Sequence, residues 1–123
     1  MVEYKFNINT NTLEANYIGN VTANEIIDYI RAIKNNTQYP RSLKIISNTK
    51  NATFNFSIEE LDLIVAENYK SLEKYNEIID AIIVDDPKKT VLTVLYKQFF
   101  KTKKYKFEIF ATKDAALNWL TKW

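Results

Sequence analysis

The stretch that decides the fold reads Ile78-Ile79-Asp80-Ala81-Ile82-Ile83-Val84. A nearly continuous β-branched run of this length is typical of a central strand that is buried on both faces of a parallel sheet. Asp86 follows as a helix N-cap, and Pro87 suits the first helical position, where no backbone N–H is needed. The segment therefore predicts a central strand that leads directly into a helix.

The N-terminal part of the chain predicts an antiparallel hairpin. Residues 4–8 and 13–17 each alternate apolar and polar side chains, which is the period of a half-buried strand. The polar segment 9–12 separates the two runs, as a hairpin turn would. Gly19, the only glycine, is expected to end the second strand.

Four helices are predicted, over about residues 23–36, 58–75, 87–101 and 112–123. The first two begin at capping boxes, Thr22 with Glu25 and Ser57 with Glu60, in which each side chain satisfies the other residue's free backbone N–H. Thr112 caps the last helix.

The remaining segments complete the predicted fold. Further strands are expected at 43–46 and 105–110, whereas the Asn- and Thr-rich segment 47–56 is expected to be a loop. The element order is then ββαβαβαβα, in one domain that spans residues 1–123. Regular strand–helix alternation after the hairpin implies right-handed crossovers and a mixed, mostly parallel sheet covered by helices.

The composition excludes several kinds of chemistry. The chain has no cysteine and no histidine, so thiol nucleophiles, zinc-finger ligands and imidazole catalysis are ruled out. A single glycine cannot build a Gly-rich phosphate loop. No metal or other cofactor is predicted, and an enzyme is not expected.

The charge is unevenly placed along the chain. Residues 1–86 hold 8 basic and 13 acidic side chains, whereas residues 87–123 hold 9 lysines and 2 acidic side chains. The basic part contains no arginine, the residue that best contacts phosphate and guanine, so it predicts a solvated lysine face and no nucleic-acid partner. Lys88 and Lys89 are included in that solvated face.

Neither a signal peptide nor a membrane-spanning segment is expected. The N-terminus has no basic region followed by an apolar stretch, and the longest apolar runs fall far short of the roughly 20 residues that span a bilayer. The expected location is the cytoplasm, with no membrane insertion.

Three stretches resemble one known group of proteins. Residues 17–26 run from a strand through Gly19 and a Val-Thr pair into a helix, residues 84–90 form a strand-to-helix junction, and residues 110–120 carry the pattern T-x-x-x-A-x-x-W-L. Together they resemble small stand-alone bacterial members of the SpoIIAA-like, or STAS-like, superfamily. The resemblance implies that fold, and a role in protein–protein regulation, such as anti-sigma-factor antagonism, or in small-ligand or lipid binding.

Ser57 is the phosphorylation candidate that this resemblance suggests. Phosphorylatable antagonists carry Asp-Ser-(Ser/Thr)-Gly at the start of the second helix, and Ser57 lies near that place without the Asp or the Gly. Glu59 and Glu60 would repel a phosphate there. The residues therefore favour an N-cap over a regulatory site.

The pair Asp85 and Asp86 is the best candidate for carboxylate chemistry, because it follows a central strand. The simpler interpretation, which we adopt, is that Asp86 caps a helix while Asp85 faces water.

The order of elements would also suit a phosphoacceptor receiver domain. Such a domain needs acidic residues after its first and third strands, but Gly19-Asn20 and Ser47-Asn48 stand at those places. The sequence therefore does not fit a receiver domain.

The third predicted helix is apolar around much of its circumference. We expect Val91 and Leu95, with Leu92 and Phe99, to pack inward, and Val94, Tyr96 and Phe100 to remain partly outward. An interface on this helix would use Val94, Tyr96, Phe99 and Phe100. The leading hypothesis is therefore a non-catalytic interaction domain with a protein partner, which self-associates as a homodimer.

Phe54 and Phe56 support an alternative function. They lie in the polar segment before the second helix, and their period-2 spacing puts both on one side. They either fill the edge of the core or line the mouth of a pocket. The second interpretation makes the protein a carrier or sensor of a small apolar ligand or lipid.

Overall fold

The computed structural model describes residues 1–123 and contains five strands and four helices in the predicted order ββαβαβαβα. The elements are β1 (Val2–Asn7), β2 (Thr12–Thr22), α1 (Ala23–Asn35), β3 (Ser42–Asn55), α2 (Ile58–Leu72), β4 (Glu77–Ile83), α3 (Pro87–Gln98), β5 (Tyr105–Phe110) and α4 (Lys113–Leu120). No helix combines the length and the hydrophobicity that crossing a bilayer requires.

The five strands form one sheet in the order β1-β2-β3-β4-β5. β1 pairs antiparallel with β2, and every later pair is parallel, which confirms the predicted mixed sheet. Since the parallel strands follow one another in a single direction, right-handed crossovers place α1, α2 and α3 on the same face. α4 packs on the opposite face.

The central strand β4 contributes to both sides of the sheet, as its sequence predicts. Ile78 and Ile82 belong to the larger core, between the sheet and α1–α3. Ile79 and Ile83 belong to a smaller core beneath α4. The alternation places Asp80, midway between Ile78 and Ile82, on the face that α1–α3 cover.

The expectation of a loop at 47–56 is wrong, because β3 continues through this segment to Asn55. The extension pairs in parallel with β2, although β4 accompanies β3 only as far as Asn48. Its two buried polar side chains, Ser47 and Thr49, are satisfied by tertiary contacts. Thr49, fully buried, donates its hydroxyl to the Ile83 carbonyl at 2.6 Å.

Gly19 does not end β2, contrary to expectation. The strand continues to Thr22, and the register against β3 shifts between Asn16 and Ile18. Gly19 has φ +72°, a backbone conformation that side chains with a Cβ rarely adopt. The glycine therefore allows an irregular strand to reach the capping box of α1.

Candidate functional site

A cavity of about 80 Å³ lies between the sheet and helices α1, α2 and α3. Side chains from β2, β3, β4 and β5 form its floor, and 16 of its 21 lining residues are hydrophobic. Ligand pockets in proteins are commonly of this kind, with apolar walls and a few polar groups that orient the ligand. The few polar groups here therefore define the chemistry of the site.

Asp80 is the acidic group of the cavity. Ser47 Oγ donates to Asp80 Oδ1 at 2.9 Å, and the Tyr105 hydroxyl donates to Oδ2 at 3.3 Å. Asp80 pairs with Ile45 on β3 and with Phe107 on β5, so Ser47 and Tyr105 are its diagonal neighbours on the same face. The sheet register itself thus places two hydroxyl donors beside the carboxylate.

The Asp80 carboxylate has no cationic partner. Burial raises its pKa to about 7, although the hydrogen bonds from Ser47 and Tyr105 act in the opposite direction. The residue is half-buried and lines the cavity. Near neutral pH the cavity therefore presents a group that can either accept or release a proton.

Four tyrosines surround this carboxylate: Tyr17, Tyr29, Tyr96 and Tyr105. Burial raises the pKa of each of them above the ordinary value. All four phenols therefore stay neutral at physiological pH and present hydrogen-bonding hydroxyls among aromatic rings. Asn68 Nδ2 donates to the Tyr96 hydroxyl at 2.7 Å, which fixes one of them.

Two hydroxyls of the lining, one of them on these tyrosines, have no hydrogen-bond partner in the protein. The Tyr29 hydroxyl and Ser71 Oγ are both buried, and neither bonds to any other protein group. A buried polar group without a partner costs about 1–3 kcal/mol. Such groups in a cavity are available to a ligand.

Phe54 and Phe56 lie where this cavity meets the surface. Their rings are 5.5 Å apart and half-buried. Together with Leu92 they line both the cavity and an adjoining surface groove, which runs between the start of α2 and α3. The structure thus places both predicted pocket residues between the interior and solvent, and they also pack against the main core.

A solved structure supports the fold assignment. It is an uncharacterised protein of the DUF3478 family from Shewanella loihica PV-4, with a SpoIIAA-like fold, and it matches this structure with a TM-score of 0.62. The match covers 98% of this chain and 92% of that chain, at 15% sequence identity. This chain has a SpoIIAA-like fold. No protein-family model and no curated protein matches the sequence.

Within this SpoIIAA-like fold, helix α3 is oriented differently from the sequence prediction. Val91 and Phe99, expected inside, are 60% and 38% exposed. Tyr96 and Phe100, expected partly outside, pack against the core, with ring centroids 5.1 Å apart. Of the four proposed interface residues, Val94 and Phe99 are therefore on the surface.

The reason for the different orientation is Lys89, which was expected in solvent but is buried. Its ammonium group donates to the carbonyl oxygens of Thr49 and Ala52, at 2.6 and 2.9 Å, and pairs with Asp85 at 2.6 Å. Asp85 therefore does not simply face water, while Asp86 caps the helix as predicted. The inward position of Lys89 fixes the rotation of the helix.

Ser57 is the N-cap of α2, as predicted. Its Oγ accepts from the Glu60 backbone N–H at 3.2 Å, and Glu60 Oε1 accepts from the Ser57 N–H at 3.0 Å. Both halves of the capping box are thus formed. The hydroxyl already has a structural role in the SpoIIAA-like fold.

Asp80 and its partners are not among the site residues that the sequence predicts. The signal was present, since Asp80 is the only charged residue in the apolar run 78–84. A buried strand rarely contains an unpaired carboxylate. Ser47, Tyr29 and Tyr105, by contrast, carry no such signal, because only the folded sheet and helices bring them together.

Proposed function

We propose that this protein is a non-catalytic binding domain of the cytoplasm, which holds a small and mainly apolar ligand in the cavity beneath α1–α3. The observation that carries the proposal is the cavity itself, whose apolar wall contains buried polar groups without protein partners. A core built only for stability would fill this space or leave it without polar groups.

The location of the mouth supports the same function. Phe54, Phe56 and Leu92 separate the cavity from the surface groove, and all three are only half-buried. Aromatic rings at such a place can change rotamer without unfolding a helix or strand. A ligand would enter between α2 and α3.

The test is an NMR titration with 1-butanol, a neutral probe whose hydroxyl end can enter the cavity while the end of its chain lies at the mouth formed by Phe54 and Phe56. Methyl signals of the lining residues Ile30, Ile78 and Ile82 are expected to shift, while those of the α4 core remain unchanged. Replacing Ser71 with leucine should fill the space and abolish the shifts, whereas Ser71→Ala keeps the space open and should preserve them. Shifts confined to surface residues, or unchanged in Ser71→Leu, would overturn the proposal.

A second function, self-association and binding of a protein partner, is favoured by the outer face of α3. Val91, Val94 and Phe99 expose apolar area on consecutive turns. Exposed apolar groups that lie together commonly mark interaction surfaces. We propose a homodimer through this face, with the interior face of the same helix lining the cavity.

Sedimentation velocity tests the dimer. Val94→Lys and Phe99→Lys are expected to shift the protein from dimer to monomer. The control is Leu63→Lys, a more exposed apolar position on α2, which should leave the dimer intact. A wild-type protein that is monomeric at all concentrations would contradict this second function.

A further inference from the structure

The cavity contains one side chain that can carry a charge near neutral pH, and that charge is negative. Asp80 is its only carboxylate, and neither lysine nor arginine lines it. A buried carboxylate with no cation is costly for the fold. A ligand that brings a positive charge would compensate this group.

The identity of the ligand is an inference that rests on the proposed function. We propose that the ligand is a small protonated monoamine, whose ammonium group binds Asp80 and whose apolar part lies among the isoleucines of the cavity. Ile30, Ile45, Ile78 and Ile82 supply that apolar wall. The acid and the apolar surface are therefore both on the same cavity lining.

The remaining polar groups suit an ammonium group. Such a group has three N–H donors and no acceptor, so it needs several oxygen acceptors around it. Asp80 supplies two carboxylate oxygens, and the hydroxyl oxygens of Tyr29 and Ser71 have no other partner. A neutral alcohol, with one donor, would use fewer of these acceptors.

The aromatic composition of the wall supports a cation as well. The rings of Tyr96, Tyr105 and Phe107 lie against each other, with centroids 5.4 to 6.3 Å apart. Aromatic faces attract cations, and the interaction strengthens when the cation is desolvated. A carboxylate among aromatic rings therefore attracts an ammonium group both through its own charge and through the ring faces.

The size of the cavity limits the ligand. An engineered protein cavity of about 150 Å³ holds benzene. A cavity of about 80 Å³ therefore encloses an amine clearly smaller than benzene, such as ethylamine, whereas the end of a butylamine chain would lie outside it. A longer tail would have to leave past Phe54 and Phe56 into the groove.

The pH dependence of binding follows from the groups that face Asp80. The titratable ones are Tyr17 on β2, Tyr29 on α1, Tyr96 on α3 and Tyr105 on β5, while β3 and α2 present only Ser47, Asn68 and Ser71. Burial raises the pKa of every one of these tyrosines, so they stay neutral.

The ionisation of Asp80 alone therefore controls how amine binding depends on pH. Burial raises its pKa to about 7, whereas an alkylamine, like a lysine side chain, titrates at about 10.4. Between pH 6 and pH 8 the carboxyl ionises while the amine stays protonated. Amine affinity should rise about ten-fold over that interval.

The experiment is calorimetric titration of the full chain with butylamine and with 1-butanol, at pH 6 and pH 8. At pH 8 butylamine should bind wild type at least ten-fold more tightly than butanol. Asp80→Asn should lose that preference yet still bind butanol, which shows that the cavity remains intact. Asp62→Asn, an exposed carboxylate on α2, is the matched control and should behave as wild type.

The outcomes separate the two proposals. If butanol binds as tightly as butylamine, or if butylamine binds more weakly at pH 8 than at pH 6, the amine inference is wrong while the ligand-binding function stands. An amine preference that persists in Asp80→Asn places the cation elsewhere and also overturns the inference. If neither probe binds, both proposals fail.

Discussion

Two charged side chains lie inside this protein in opposite situations, Lys89 on α3 and Asp80 on β4. The Lys89 ammonium group has two carbonyl oxygens and two carboxylates within 3.4 Å. Asp80 has only two hydroxyl donors and no cation. One buried charge is fully compensated by the protein, and the other is not.

The difference concerns what each charge contributes to the fold. Lys89 ties the start of α3 to the extended part of β3, where β4 no longer provides a neighbour. Asp80 accepts hydrogen bonds from Ser47 and Tyr105, and an uncharged residue could accept hydrogen bonds at the same place. Proteins commonly retain locally unfavourable groups where function requires them. The comparison therefore predicts opposite signs for the effects of removing the two charges.

The largest effect is expected for Lys89→Met, which keeps an unbranched side chain only one atom shorter and removes the charge. The carbonyl oxygens of Thr49 and Ala52 would be left without their partner in the interior. Leaving these two buried acceptors without a donor costs about 2–6 kcal/mol, at about 1–3 kcal/mol each. Asp85 and Asp86 are 40% and 44% exposed and can turn to water, so they add little. Urea unfolding should show a loss of that size.

Lys88→Met is the control for this loss. Lys88 is exposed and next in sequence, and a surface substitution changes stability by about 0.5 kcal/mol or less. Equal losses in the two variants would show that the Lys89 contacts do not stabilise the fold.

Asp80→Asn is expected to change stability in the opposite direction. Burial raises the pKa of this carboxyl from 3.8 to about 7. Below pH 3.8 the Asp80 carboxyl is protonated in both the folded and the unfolded chain, so its ionisation costs the fold no stability. As the pH rises from 3.8 towards 7, the unfolded chain releases this proton and the folded chain does not. The free energy of unfolding therefore falls progressively over this interval and stays lower above pH 7.

Asparagine cannot ionise and avoids this loss. One pKa unit corresponds to about 1.36 kcal/mol, so Asp80→Asn should be more stable than wild type by about 2–4 kcal/mol at pH 8. The gain should vanish near pH 4. Thermal unfolding between pH 4 and pH 8 measures it, and a variant less stable than wild type at pH 8 would mean that the carboxylate is compensated after all.

The same two residues show how far the sequence could predict the fold and the site. The strand around Asp80 and the helix start at Asp86 were predictable, because β-branched residues and capping residues act locally. The extension of β3 was not predictable from the sequence, because the strand around Thr49 is held by contacts with residues that are distant in the sequence. Short polar segments of this kind follow tertiary structure and override local propensity.

The prediction of which face of α3 packs inward failed for a related reason. An apolar-stripe rule assumes that charged residues face solvent. Here the buried positions are Lys89 and Thr93, whose hydroxyl donates to the Lys89 carbonyl at 2.6 Å. Tyr96 and Phe100 continue the inward face at helical spacing. A charge satisfied only by another part of the chain cannot be placed from helical periodicity.

Glu67 provides a third buried charge that sharpens the comparison. Burial raises its pKa, but the hydrogen bond from Arg31 and the charges of Arg31, Lys70 and Lys34 outweigh burial and bring the pKa below 4.5. A carboxyl of this kind stabilises the fold above pH 4.5, and the stabilisation is lost as the pH falls through the lowered value.

The expected cost of Glu67→Gln is about 1–2 kcal/mol at pH 7, because the partner cations Arg31 and Lys70 are largely exposed and can turn to water. The difference from wild type should shrink below pH 4, the reverse of the Asp80→Asn profile. Chemical denaturation at pH 7 and pH 3 tests this, and a difference that grows in acid would contradict it.

The smallest effects compare two buried tyrosines, one whose hydroxyl has a hydrogen-bond partner in the protein and one whose hydroxyl has none. The Tyr75 hydroxyl donates to the Ile33 carbonyl at 2.7 Å, whereas the Tyr29 hydroxyl has no protein partner. Tyr75→Phe leaves a buried carbonyl without its donor and should cost about 1 kcal/mol. Tyr29→Phe breaks no bond and should be neutral or slightly stabilising, while it weakens butylamine binding if the hydroxyl contacts the ammonium group. Equal stability losses in urea would show that the Tyr29 hydroxyl is already satisfied in solution, and would remove it from the acceptors available to the amine.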